Sequence, residues 1–210
     1  MADTGWHNPG TMASDNASGG TRPWANPDNA KTSEGSYATS AGTVPGGYSY
    51  YLKATNFNMG VPAGATIDGI KVGIERKKSG AGDVSEWKIY IIKAGVYTGD
   101  NKASHTWNTT EQYCVHGGAA DKWGKSWTVA QINASNFGVG VAIGLSSLTV
   151  GFVDHIRIKV YYTEAVGTNI KINIGDVFKD VDEIKINIGD VWKTVTEVWI
   201  NIGDVWKQVF

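Results

Sequence analysis

The chain has 210 residues, 41% of them hydrophobic, with a formal net charge of −1, which suits one good-sized domain plus an appendage. No basic run exceeds Arg76-Lys77-Lys78, so the concentrated basic face that nucleic-acid binding needs is missing. Cys114 is the lone cysteine, which excludes an intrachain disulfide framework and a CxxC metal site. The opening MADTGWHNPG lacks the basic and apolar regions of a secretory signal, and no apolar stretch reaches the roughly 18 residues of a membrane span. The expectation is a protein made soluble in a cytoplasm, without membrane insertion, that leaves the cell by some other route.

Residues 1–47 are rich in Gly, Ser, Thr, Asn, Asp and Pro and read as extended, loop-rich chain with a few short strands. From Tyr48 the pattern turns to period two. YSYYLKATNF (Tyr48–Phe57) reads as a strand, VPAGAT (Val61–Thr66) as a turn, and IDGIKVGIERKKS as a strand with a bulge near Asp68-Gly69. SEWKIYIIKAG (Ser85–Gly95) is another strand. A Gly/Asp/Lys-rich loop fills Gly117–Lys125, and SWTVAQIN (Ser126–Asn133) has a strand-like start, with VAQINASN allowing one helical turn. GVGVAIG (Gly138–Gly144) continues as a strand, so its glycines offer no helix N-terminus to a phosphate. LTVGFVDHIRIKVYYT (Leu148–Thr163) alternates cleanly. With turn signals between short strands, the fold class is all-β: a jelly-roll-like β-sandwich over residues 1–164.

With the linker TEAVGTN leading in, residues 165–210 hold a fourteen-residue unit twice and a twelve-residue third copy: KINIGDVFKDVDEI, KINIGDVWKTVTEV and WINIGDVWKQVF. Each reads as two strands joined by a Gly-Asp hairpin turn, since Gly supplies the positive φ such turns need. Across the first turn Ile174 opposes Val177, Ile172 opposes Lys179 and Asn173 opposes Phe178. The Asp-Glu and Thr-Glu links are weaker turn signals, and the simplest extension is a six-strand meander. So short a unit cannot bury a face alone, and bare edges invite pairing. The repeat is therefore a docking or oligomerisation segment, acting through Ile172, Ile174, Phe178, Ile186, Ile188, Trp192, Trp199, Ile200, Ile202 and Trp206.

No GxSxG, HExxH, P-loop or dinucleotide fingerprint occurs, so no enzymatic activity and no cofactor are expected. Cys114-Val-His116 places both side chains on one face of a strand, which allows a Cys/His dyad or half a metal site, but a buried pair without function is the simpler reading. No metal site is assigned. Asp15, Asn26, Asp28 and Asn29 form an oxygen-rich stretch that suits Ca²⁺ chemically, yet turn chemistry explains it better and it lacks the spacing of an EF-hand loop. Trp6, Trp24, Trp87, Trp107, Trp123 and Trp127, with Tyr50 and Tyr51, are the candidates for a sugar-stacking platform, and Trp123 with Trp127 is the pair expected on the surface.

RPWANPDNAKTSEGSYATS (Arg22–Ser40) and SYYLKATNFNMGVPAGATIDGIKVGIERK (Ser49–Lys77) resemble a domain common in virion proteins of tailed bacteriophages. The tail is similar to the NIGGVWK-type repeats that end phage tail and appendage proteins, here with Asp for the second Gly. The resemblance implies a non-catalytic virion structural component, in a tail, fibre, appendage or capsid decoration, released by lysis. It implies copies of itself and other virion proteins as partners, with a host-surface glycan as a further one. The rival readings are a carbohydrate-binding module or adhesin using exposed Trp residues, and a subunit of an extracellular filament.

Overall fold

The computed structural model describes residues 1–42, 47–165, 171–174, 177–180, 184–188, 191–195, 199–202 and 205–208. Two compact units result, Met1–Glu164 and Ala165–Phe210. The first carries the strands β1 (Ala2–Asp3), β2 (Thr11–Asp15), β3 (Ala38–Gly42), β4 (Gly47–Tyr48), β5 (Tyr51–Thr55), β6 (Thr66–Ser79), β7 (Val84–Lys93), β8 (Val96–Thr98), β9 (Gln112–Gly117), β10 (Gly138–Leu145) and β11 (Thr149–Thr163). Among the described residues one α-helix, α1 (Val129–Asn133), precedes β10, and short 3-10 turns cover Asn16–Ser18 and Pro27–Ala30. No helix among the described residues is long and apolar enough to cross a membrane.

The strands make a jelly-roll-like β-sandwich of two antiparallel sheets. The five-stranded sheet runs β1-β11-β6-β9, with β3 also on β11, and the six-stranded sheet runs β2-β5-β10-β7-β8, with β4 also on β10. Its spine is the long β6–β11 pair, in which Ile74 opposes Ile156, Val72 opposes Ile158 and Ile70 opposes Val160. All six are fully buried, as period two requires of strands with one face on the core. The facing layer comes from Leu52 and Ala54 of β5, Ile89 and Ile91 of β7, and Val139, Val141 and Ile143 of β10. Between Gly69 and Ile67 the register on β11 skips Asp68, which is the expected bulge.

Tyr48–Phe57 is divided in two. β4 and β5 flank Ser49, whose Oγ accepts a hydrogen bond from the Ile143 amide at 2.9 Å while its own amide donates to the Ile143 carbonyl, also at 2.9 Å. Ser126–Asn133 does not open as a strand. Thr128 caps α1 in a capping box, its side chain accepting from the Gln131 amide and its amide donating to Gln131 Oε1. Two orphan amides are satisfied at once, and that local gain outweighs the alternation of Trp127 and Val129.

The second unit contains β12 (Lys171–Ile174), β13 (Val177–Asp180), β14 (Lys185–Ile188), β15 (Val191–Thr194), β16 (Trp199–Ile202) and β17 (Val205–Gln208). The three hairpins share one register: Asn173 opposes Phe178, Asn187 opposes Trp192 and Asn201 opposes Trp206. Each hairpin is its own two-stranded sheet, so among the described residues the six strands do not join into one meander. The strong Gly-Asp signals produce the pairings and the weaker links do not. The Gly-Asp turns lie outside the described residues. So do the side chains of Ile172, Ile174, Phe178, Ile186, Ile188, Trp192, Trp199, Ile200, Ile202 and Trp206.

Candidate functional site

Strand β10 alternates two kinds of residue. Val139, Val141, Ile143 and Leu145 enter the core, so Gly138, Gly140, Ala142 and Gly144 lie on the outer face of the six-stranded sheet. Gly140 is opposed by Lys53 on one side and Tyr90 on the other, and Gly144 by Tyr48 and Ser85. The central strand thus leaves a trough where larger residues would stand. Aromatic rings from neighbouring strands lean into it. A methyl group added at Gly140 would collide with the Tyr97 ring and press on Tyr51.

Tyr51 and Tyr97 stack at 4.0 Å between centroids. Tyr48 and Trp87 make a second pair at 4.2 Å, tilted by 32°. The register assigns Trp87 no partner on β10: Lys88 opposes Ala142 and Glu86 opposes Ile143. This bulge re-aims Trp87 to the outer face, as bulges beside functional surfaces do. Gly140 and Gly144 are about 13 Å apart along an extended strand, so the two aromatic pairs sit at separate points of one trough.

Polar groups are fixed around the rings. Tyr97 donates its hydroxyl to Asp15 Oδ2 at 2.9 Å, and Lys53 approaches the same oxygen at 3.4 Å. The Lys88 ammonium stands 4.1 Å from the Trp87 ring centroid and donates to the Ser18 carbonyl at 2.8 Å. Burial pushes the Tyr51 hydroxyl up to about 12, helped by Tyr90 and Asp15. Burial and the bond to Asp15 also raise Tyr97. Both phenols stay neutral donors. Asp15 is lowered: burial opposes its charge, but the Ala17 amide, the Tyr97 hydroxyl and Lys53 outweigh burial. Two shallow hollows open on this face. One of about 470 Å³ is lined by Asp15, Asn16, Tyr50 and Lys53, the other of about 300 Å³ by Tyr48, Asp83, Ser85 and Gly144.

The pair expected on the surface, Trp123 with Trp127, is split. Trp123 is 0% exposed, so it is not available for stacking. Its φ of 57° turns the ring inward, and its Nε1 donates to the Ile70 carbonyl at 3.0 Å. A buried indole needs such an acceptor. Trp127 lines a shallow groove of about 530 Å³ with Ile67, Lys122 and Val129. Its ring packs edge-on against Phe137, and its Nε1 donates to the Lys122 carbonyl. Trp24 and Trp107 are core residues. Trp6 packs against the Arg157 guanidinium on the other sheet. Of the sequence candidates, Trp87 therefore belongs to the trough, and Tyr51, 3% exposed, is covered by the Tyr97 ring and packs as its floor, while Tyr48 and Tyr97 were missed. The visible signal was the alternate-glycine run GVGVAIG, read only as a strand.

A second group of titratable side chains lies between the sheets. Cys114 opposes Ile74 and His116 opposes Val72, so both point inward from β9. Glu86 enters from β7 of the other sheet, and His105 comes from the loop before β9. The ligating atoms of Glu86, His105, Cys114 and His116 lie within 4.8 Å of one another. Arg76 Nη2 approaches Glu86 Oε1 at 3.4 Å, and its guanidinium packs on the Trp107 ring. Burial opposes the charge on the Glu86 carboxyl, yet His116, the Ser104 amide and Arg76 hold it low. Burial likewise opposes the His116 imidazolium, but Cys114 and Glu86 push it up to about 9. Burial would raise the Cys114 thiol, and His116 and Arg76 more than offset that.

A third group, Glu75, Glu111 and Asp154, is engaged by protein donors in part, with Glu75 Oε2 and Glu111 Oε1 left without a hydrogen bond. The Gly35 amide bonds Asp154, and Lys77 with the Tyr37 hydroxyl bonds Glu111. The oxygen-rich stretch near the N-terminus does not converge: Asp15 is held by Tyr97 and Lys53, Asp28 pairs with Lys31 at 2.9 Å, and Asn29 bonds the Tyr37 carbonyl.

No protein-family model and no curated protein sequence matches the chain. Among solved structures it is similar to the CBM22-1 xylan-binding domain of Xyn10C from Paenibacillus barcinonensis, at 9% identity and a TM-score of 0.38, covering 78% of this chain and 97% of that one. It is also similar to a structure titled as CBM4, at 10% identity and a TM-score of 0.34, covering 76% and 91%. A third is the CBM22-1-GH10 portion of xylanase 10B from Clostridium thermocellum bound to xylohexaose, at 12% identity and a TM-score of 0.34, covering 79% and 28%. Likenesses at these scores lend no weight to a ligand for this chain.

Proposed function

We propose that the sandwich is a non-catalytic binding module that takes a carbohydrate chain along the outer face of its six-stranded sheet. The observation that carries this reading is the glycine-floored trough of β10 with the Tyr48–Trp87 pair beside Gly144, its other end walled by Tyr97 over the buried Tyr51. Sugar rings present apolar C–H faces that stack on aromatic rings, and equatorial hydroxyls that need fixed donors and acceptors. Asp15, Lys53, Lys88 and Ser85 supply those at the rim. Tyr48 is 44% exposed, so a ligand reaches it without unfolding anything. Few polar groups placed around apolar surface is the usual composition of such sites.

Affinity electrophoresis and calorimetry against soluble neutral polysaccharides, xylan among them, test the reading. At least one is expected to bind, and Trp87→Ala or Tyr48→Ala to weaken it by about tenfold or more, equivalent to about 1.4 kcal/mol. Absence of binding across the panel, or full affinity in the Trp87→Ala, Tyr48→Ala double variant, removes it.

For the tail we propose assembly, on the recurrence of one hairpin register three times; a virion setting rests on the sequence resemblance alone. In that reading the hairpins anchor the module to copies of itself or to other particle proteins. Analytical ultracentrifugation of the full chain and of residues 1–164 tests it: an oligomer that becomes a monomer on truncation supports anchoring, and two monomers dismiss it.

A further inference from the structure

We propose that Glu86, His105, Cys114 and His116 bind one divalent transition ion of the zinc class, tying the two sheets together at the β7–β9 margin. The donor set is one sulfur, two imidazole nitrogens and one carboxylate oxygen, a combination that zinc accepts. A tetrahedral zinc site with bonds of about 2.1 Å separates its donors by about 3.4 Å. The four donor atoms already lie within 4.8 Å of one another, and His116 Nε2 stands 3.2 Å from Glu86 Oε1. Contraction of the widest separations by up to about 1.4 Å completes the geometry.

The surrounding shell is arranged for ligation. His116 Nδ1 is 3.1 Å from the Lys102 carbonyl, an acceptor only, so Nδ1 carries a proton and Nε2 is the nitrogen turned to the cluster. A second partner of this kind fixes the ring of a ligating histidine. Glu86 Oε2 accepts from the Ser104 and His105 amides, both at 3.0 Å, which holds the carboxylate still. His116 Nε2 and Glu86 Oε1 face each other at 3.2 Å without an aligned hydrogen bond, and Arg76 Nη2 stands 3.4 Å from the same oxygen. The His116 and Glu86 side chains are 2% and 0% exposed. Buried polar atoms are normally satisfied, and an ion held among the four donor atoms would give both a partner. His105, with a side chain 46% exposed, gives the ion a way in. Thiolate and carboxylate together balance a dication, with the Arg76 guanidinium an opposing charge 3.4 Å from Glu86 Oε1. Binding releases to solvent any proton on the Cys114 sulfur or on His116 Nε2.

The test uses the full chain, stripped with a chelator and titrated with Zn²⁺ and Co²⁺. One equivalent is expected to bind, with a thiolate-to-cobalt charge-transfer band and a higher melting temperature. Cys114→Ala is expected to abolish that band. Because the buried variant can misfold, exposed His105→Ala serves as the second arm and is expected to keep the fold while weakening Zn²⁺ at least tenfold. Substoichiometric binding, a cobalt spectrum without the thiolate band, or unchanged affinity in His105→Ala overturns the proposal.

Discussion

The sandwich and the repeat tail solve different problems with the same element. A tail hairpin pairs residues only a few positions apart, so each repeat unit contains its own instructions and the three copies reach one register. The sandwich pairs β1 with the end of β11 and β6 with β11, contacts that span most of the domain. In the tail an error costs one unit, whereas in the sandwich it is shared by the whole core. Repeat units add roughly independently, and single domains melt as one. The two proposals divide along the same line: the binding reading rests on the sandwich and the assembly reading on the repeat.

Removing a core anchor is the harshest test of that contrast. Trp123→Ala deletes a fully buried ring and leaves the Ile70 carbonyl unpaired. A loss of about 3–5 kcal/mol is expected, read as a drop of roughly 10 °C in the sandwich transition. Calorimetry that shows no such drop would mean that the core is less cooperative than described.

Filling the trough is next in size. Gly140→Val forces apart the Tyr51 and Tyr97 rings, and overpacking of this kind costs about 1–3 kcal/mol. Polysaccharide affinity is expected to fall along with stability, whereas Gly95→Ala, on the turn between β7 and β8, should leave affinity intact. Equal losses from both would sever the trough from binding.

Acid is expected to act through Asp15. Its carboxyl is lowered in the folded state, so its stabilising contribution is full above the unfolded value of about 3.9 and is lost as pH falls through the lower folded value. Asp15→Asn should remove that part of the acid limb at a cost of roughly 1 kcal/mol at neutral pH, measured by urea titration at several pH values. The smallest effect is expected from deleting residues 199–210. The sandwich transition should move by less than about 0.5 kcal/mol, and a larger shift would contradict the independence of the tail.

The strand content, the bulge at Asp68 and the hairpin register were legible because period two and Gly-Asp turns act over a few residues. The burial of Trp123 was not, since the sequence shows an indole in a polar loop but not the Ile70 carbonyl that receives it. Trp87 was legible as a candidate and Tyr97 was not, because only the bulge and the short β8 bring their rings over β10. Cys114 and His116 were visible as neighbours on one strand, while Glu86 and His105 were invisible as their partners.

By itself, then, the sequence determined which segments extend, where the tail turns and that one unit is repeated. Those choices are set by φ preferences and by alternation within a strand. Only the tertiary structure decided that alternate glycines of β10 floor an aromatic trough, and that a carboxylate from one sheet faces a cysteine and a histidine from the other. These sites join residues far apart in the chain, and their geometry is fixed by sheet register and close packing, which local sequence does not encode.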